Sequence, residues 1–390
     1  MQLLSRDIFL TQGGGPRGLM PGSVTYLSPT ANHLLFRYAW ESDSDAYDDW
    51  SEMISRDNGR TWSDPVVRHQ GHDVEGGRIY VSENVSWLDP ATGKVLTVFD
   101  SGFREGSEGM EKVRWSLQFL EYDPATDLYT PLECTDFGLP HGIMLSFCNP
   151  LLLSTDRLLL PAATAATDEQ GRIVQHPQVW DKCYTSLVII GERRADGRFG
   201  FRLGEQVALP LEVTSRGLVE PAVAELADGR LAMIMRGDNS GHRARPGHKW
   251  LCFSEDGGET WGEVGPLRFS DHTLLESGSN GSVLVRSACS GKLYWIGNPC
   301  VGEERAHGNF PRAPLVIYEV QEDPFALRGE TALVIDDCRP TDAPGVQLSN
   351  FRVYQDRATG DIVLFMSRLG EQDPDDWRQA DLYRYRIALD

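Results

Sequence analysis

The sequence predicts an all-β fold, a six-bladed β-propeller of four-stranded antiparallel blades closed by the N-terminal strand, and three observations carry that expectation. The stretch Ser55-Arg56-Asp57-Asn58-Gly59-Arg60-Thr61-Trp62 returns as Ser254-Glu255-Asp256-Gly257-Gly258-Glu259-Thr260-Trp261. Each copy follows a short apolar run and reads as a hairpin turn: Ser and Asp bond nearby backbone N–H groups, Gly accepts the positive φ, and Trp anchors the returning strand. The copies lie 199 residues apart, room for three units of about 66 residues, and the whole chain divides into six of about 65. Pairs of short apolar runs split by turn residues recur at that spacing, and no helical period is sustained, so residues 1–390 read as one domain.

The units follow in order. In the first, residues 22–27 and 34–38 flank a turn and lead into the first Ser-to-Trp hairpin. In the second, residues 84–88 and 95–99 flank Asp89-Pro90-Ala91-Thr92-Gly93, with an outer run at 115–120. The third has runs at 149–153, 158–162 and 186–190. The fourth has 220–226, the turn Asp228-Gly229, 231–236 and the second hairpin. The fifth has 281–285, 292–296 and 314–318, and the sixth 350–354, 362–366 and 381–387. The sixth is one strand short, and Asp7-Ile8-Phe9-Leu10 is placed to supply it and remove an exposed sheet edge.

Composition narrows the partners. Asp and Glu number 57 against 37 Lys and Arg, a formal net charge of -20, and an excess of that sign repels phosphate backbones and anionic lipid, so neither nucleic acid nor membrane is expected. Met1-Gln2-Leu3-Leu4-Ser5-Arg6-Asp7 lacks the basic start and apolar core of a signal peptide, which points to the cytoplasm. The cysteines, Cys134, Cys148, Cys183, Cys252, Cys289, Cys300 and Cys338, include no Cys-x-x-Cys pair and read as small buried residues in a reducing compartment. The glycine-rich 13–18 segment lacks the Lys-Ser/Thr of a phosphate loop, and the acidic run 43–49 lacks the glycine and distal glutamate of a calcium loop. No cofactor and no metal is expected.

The repeated turn resembles the Asp box of sialidase-like β-propellers, a resemblance that covers most of the chain and implies the same fold. In that family the box faces away from the active site. Propeller geometry turns the leading ends of the inner strands toward one axial pocket, which selects Glu83 and Asn84, Asn149, Glu220, Asn280, and Asn350. Amides and carboxylates in such a ring suit the donors and acceptors of a sugar. Glu220-Pro221 through Arg236 resembles the fourth sialidase blade, where the glutamate assists a tyrosine nucleophile and the arginine grips the substrate carboxylate. Phe310-Pro311-Arg312 resembles the place of another such arginine, whose planar fork matches two carboxylate oxygens.

The departures are equally specific. Leu19-Met20-Pro21 stands where the family has its first arginine, with Arg17 the nearest substitute; Ala39 stands where it has an acid/base aspartate, with Glu41, Asp43 and Asp45 nearby; and Leu348 stands at the expected tyrosine. His141 and His307 are loop residues able to move a proton near neutrality. The expected function is therefore a glycan-active enzyme, an exo-acting glycoside hydrolase on an acidic sugar, with Glu220 and His141 catalytic. Arg236, Arg312, Glu83, Asn84, Asn149, Asn280, His307 and Asn350 are expected to bind the substrate. Two alternatives stay open: a polysaccharide lyase acting on uronate glycans, and a non-catalytic carbohydrate-binding propeller.

Overall fold

The computed structural model describes residues 1–390 except 107–112, 133–136, 343–344, 374 and 390. Among the described residues, apart from one turn of 3-10 helix at Gly329–Thr331, the elements are strands, and the strands are antiparallel. Four strands recur per unit. Val219–Glu225, Leu231–Arg236, Lys249–Ser254 and Gly265–Pro266 make one sheet, and Val283–Arg286, Leu293–Gly297, Leu315–Glu322 and Phe325–Leu327 run through another. The first two units form a single nine-stranded sheet, because one bridge, Tyr47 opposite Val81, joins strand Ala46–Ser55 to strand Gly77–Leu88.

Gln2–Leu10 pairs along its length with Leu382–Ala388 and completes the last sheet, a longer closing strand than residues 7–10 alone. The reason is visible in its alternation: Leu3 and Phe9 turn inward while Leu4 and Ile8 stay exposed. Phe9 meets Phe36 at 5.1 Å, Trp62 at 5.7 Å and Phe365 at 4.9 Å. It thereby joins the last sheet to the first. Each neighbouring pair of sheets encloses its own apolar cluster. Phe36 packs with Phe365 in one, Val98 with Ile189 in another, and Ile234 with Trp295 in a third.

The inner strand expected at 149–153 is instead two short pieces, Met144–Leu145 and Leu151–Leu152, both on Leu158–Ala165. Pro150 has no N–H to give a ladder, and Asn149 between them is exposed. Cysteine burial also departs from expectation: Cys148, Cys183 and Cys252 are buried, but Cys289 and Cys338 are exposed, because one sits in a turn and the other beyond a strand end. Cys134 lies outside the described residues.

The two repeated turns are built alike. Gly59 N–H donates to Ser55 Oγ at 2.8 Å, and the Thr61 hydroxyl and N–H donate to Asp57 at 2.6 and 2.8 Å. Gly258, Ser254, Thr260 and Asp256 repeat this at 2.9, 2.6 and 3.0 Å. The Thr61 donors hold the Asp57 carboxyl down at about 2.

Two measurements test this account. Replacing Phe9 by Ala is expected to cost about 3 kcal/mol of stability, read from the denaturant midpoint; a change within error would mean the closing strand carries no load. Because folding lowers the Asp57 pKa, its contribution is complete above pH of about 4 and lost as pH falls toward 2. The Tm difference between wild type and Asp57→Asn should therefore be widest near neutrality and close on acidification, and a pH-independent difference would contradict it.

Candidate active site

One cavity of about 280 Å³ gathers side chains from along the whole chain, from Met20 to Trp377. Backbone irregularity aims them. In strand Val219–Glu225 the pairing jumps from Val219 opposite Arg236 to Ala222 opposite Ile234, so one extra residue is accommodated on the inner strand. Glu220 sits in that bulge at φ 50°, a left-handed conformation that costs energy for a residue with a Cβ. Asn350, at φ 57°, also lines the cavity.

Arg236, at the end of Leu231–Arg236, donates to Glu220 Oε1 at 2.6 Å, to Ser279 Oγ at 2.9 Å and to Asn309 Oδ1 at 3.1 Å. Glu220 Oε2 is buried and has no hydrogen-bond partner among the described residues. Arg312 donates to Gln347 Oε1 at 2.7 Å, Ser349 Oγ at 3.1 Å and the Asn309 carbonyl at 3.2 Å. It has no carboxylate partner among the described residues. Burial, then repulsion from Arg236, lowers Arg312 to about 10. A third guanidinium, Arg216, pairs with Asp181, which also accepts from the Tyr184 hydroxyl at 3.2 Å.

The opposite wall is acidic. Glu41 is buried and accepts the Asp45 N–H at 2.6 Å. Burial, then the Asp45 charge, pushes its carboxyl well above the usual range. Glu83 pairs with Arg352 and accepts from the Tyr47 hydroxyl at 3.2 Å. Asp45 stands exposed at the mouth, where its charge meets those of Arg236, Arg312 and Arg216. Trp180, 62% exposed, and Phe310, 42% exposed, form an aromatic rim with Trp377.

Behind the arginines lies a supporting layer. Lys249 is fully buried and donates to the Gly278 carbonyl at 3.1 Å and to Asn280 Oδ1 at 2.9 Å, fixing the segment that carries Ser279. Burial, followed by the Arg236 charge, brings it down to about 7. Asn298 donates to the Arg312, Pro314 and Leu348 carbonyls at 3.1, 3.0 and 3.0 Å.

Of the residues singled out from sequence, Glu220, Arg236, Arg312, Glu83 and Asn350 line this cavity together. Glu41 and Asp45, noted beside Ala39, line it too, and the remaining residues lie elsewhere. Asn84 is fully buried and accepts from the Ser23 N–H at 3.1 Å; Asn149 donates to the Val353 carbonyl at 2.8 Å; Asn280 supports Lys249. His141 offers its carbonyl to the Trp115 N–H, and exposed His307 pairs its backbone with Phe310. Counting from strand ends put them at the axis, but successive strand residues face opposite ways, and Glu83 takes the inward place beside Asn84. Arg17 is likewise outside, ion-paired with Asp49 at 3.2 Å and over the Trp40 ring.

Sequence reasoning missed Arg216, Asp181, Tyr184, Trp180 and Gln347. All sit in or beside loops with no periodic signal. Tyr47, inside the acidic run 43–49, is brought beside Glu83 by the Tyr47–Val81 bridge.

With this geometry in hand, solved structures can be compared. A mutant of the NanB sialidase from Streptococcus pneumoniae superposes with a TM-score of 0.67 at 12% identity, covering 98% of this chain and 70% of that one. The intramolecular trans-sialidase from Ruminococcus gnavus gives 0.63 at 12% identity, covering 100% and 98%. The fold is that of the sialidases. An α-L-arabinofuranosidase from Fusarium graminearum gives 0.56 at 11% identity, covering 100% and 99%, so the sialidase-like fold is shared with a glycosidase of different sugar specificity. No family model matches the sequence, and no curated protein does.

Gly281 tests how tightly the cavity is built. A Cβ there would stand 2.0 Å from the Phe147 ring and 2.9 Å from Glu220 Oε2. Gly281→Ala is expected to cost about 1–3 kcal/mol by overpacking and to displace Glu220; a crystal structure with Glu220 unmoved and unchanged stability would refute the close fit.

Proposed function

We propose that the protein is a glycan-active enzyme, an exo-acting glycoside hydrolase for a sugar bearing a carboxylate, built as a six-bladed β-propeller with the cavity at its axis. The observation that carries the reading is Arg312. Arg216 and Arg236 each have a carboxylate partner, whereas Arg312 faces the cavity holding only neutral acceptors. A desolvated guanidinium without a counter-charge is costly by itself and favours an incoming anion, and its fork suits a carboxylate.

The remaining walls fit the rest of a sugar. Glu41, Glu83, Gln347 and Asn350 offer acceptors and amide groups for hydroxyls, and the aromatic rim offers faces for a ring. Glu220, held by Arg236 through Oε1 and with Oε2 buried and without a hydrogen-bond partner among the described residues, lines the cavity and is the carboxylate we assign to stabilise an oxocarbenium-like transition state. Leu348, at the position where the family resemblance places a tyrosine, is fully buried and supplies no nucleophile. With His141 and His307 outside the cavity lining, hydrolysis is favoured over elimination by a histidine base. The sialidase-like fold supports the same direction.

Calorimetric binding of N-acetylneuraminate and glucuronate to wild type and Arg312→Met tests the clamp. The variant should bind the preferred acid about 100-fold more weakly, about 3 kcal/mol; equal affinities would remove the basis for an acidic substrate. Binding by wild type without release of a reducing sugar from any glycoside would make the protein a binding module.

A further inference from the structure

The bulge that aims Glu220 has a counterpart in the second unit. In Gly77–Leu88 the pairing jumps from Val81 opposite Ser101 to Asn84 opposite Phe99, again one extra residue on the inner strand, and Glu83 lies within it. Glu83 takes the second place of its bulge and Glu220 the first; in the same irregularity of the first unit, between Pro21 and Val24, Gly22 stands at the place of Glu220, where a Cβ would stand 2.4 Å from the Trp50 ring, and Ser23 at the place of Glu83, its hydroxyl donating to Asn84 Oδ1. The device thus delivers two carboxylates to one cavity, Glu83 and Glu220. Each is tied through one oxygen to an arginine from another strand, Arg352 on Glu83 Oε2 and Arg236 on Glu220 Oε1.

We infer that Glu83 is the second catalytic carboxylate of this cavity, the general acid that protonates the glycosidic oxygen while Glu220 faces the anomeric carbon. This rests on the glycosidase reading above. As the anomeric C–O bond breaks, its electron pair stays on the leaving oxygen, which takes the Glu83 proton. Ionised Glu220 meets the positive charge that develops at the anomeric carbon. Water then adds to that carbon, its surplus proton returns to Glu83, and both carboxyl groups are restored. Two carboxylates in these roles need no tyrosine nucleophile.

The surroundings divide the roles. Arg352 holds Oε2, and Oε1 accepts from the Tyr47 hydroxyl at 3.2 Å; when the carboxyl takes up a proton it does so on Oε1, away from the guanidinium, with the Tyr47 hydroxyl turned to leave it free. Burial raises the Glu83 carboxyl, against the opposing charge of Arg352, and the negative charge of Glu220 raises it further. Arg352 is itself 3% exposed and lies over the Phe147 ring at 5.2 Å, which fixes the direction from which it holds Glu83. Glu41, the other buried carboxyl of this wall, is engaged with the Asp45 N–H and supports the 41–45 loop.

The test compares leaving groups. Wild type and Glu83→Gln are assayed on the methyl and 4-nitrophenyl glycosides of N-acetylneuraminic acid and of glucuronic acid. General-acid catalysis contributes about 10²–10⁴-fold, so kcat on the methyl glycoside should fall by about 1,000-fold. The nitrophenolate leaves without a proton and should lose less than about 10-fold. Equal losses on both, or no loss on either, in a variant that still binds the free acid sugar would overturn the assignment. Should Glu83→Gln fail to fold, Glu83→Asp replaces it, with the larger loss again expected on the methyl glycoside and equal losses again overturning it. If wild type cleaves neither glycoside of either sugar, the glycosidase reading itself fails and takes this inference with it.

Discussion

Pairing of the first strand with the last is the constraint on which the arrangement depends. Gln2–Leu10 and Leu382–Ala388 satisfy each other's backbone groups, and through Phe9 their sheet is pressed onto the first. Only then can Glu41 near one end of the chain and Asn350 near the other line the same cavity. Buried ion networks reinforce the closure. Arg368, fully buried, bonds Asp336, Asp342 and Glu371, and Arg37, fully buried, holds Glu52 and Tyr129 between the first two units. Such charges stabilise little beyond the cost of desolvating them, but misregistered sheets would leave them unpaired, which penalises every alternative packing.

The cavity concentrates what the chain as a whole lacks. A protein of net charge -20 sets three guanidiniums against one wall and keeps Glu41 and Glu83 on the other. Fields of opposite sign across one cavity orient a polar group as well as hold it. The supporting contacts from Asn298 are made to backbone carbonyls and those from Lys249 to a backbone carbonyl and the Asn280 side chain, so the arginine wall is positioned from behind the cavity.

Much of the fold was legible because it repeats. The Ser-to-Trp turn spends its polar groups within a few residues, so its meaning is local, and two copies set the unit length. Glu220, Arg236 and Arg312 were legible because each sits where a resemblance in short flanking sequence marks it. Asn84, Asn149 and Asn280 were misplaced for the opposite reason: facing alternates every residue, and a one-residue bulge, which leaves no compositional trace, decides whether Glu83 or Asn84 points inward. Arg216 meets the cavity through a loop path that no periodicity encodes, and Tyr184 from the first place of a strand, two residues ahead of the apolar run at 186–190.

The bulges also divide the cavity by kind of support. Glu83 and Glu220 are carried within paired strands, whereas Arg216 and Arg312 arrive on loops that precede strands. Lengthening or replacing those loops would move the guanidiniums without shifting the two carboxylates relative to each other. The architecture thus separates the support of the arginines from that of the acidic pair, so that one can vary while the sheets hold the other fixed.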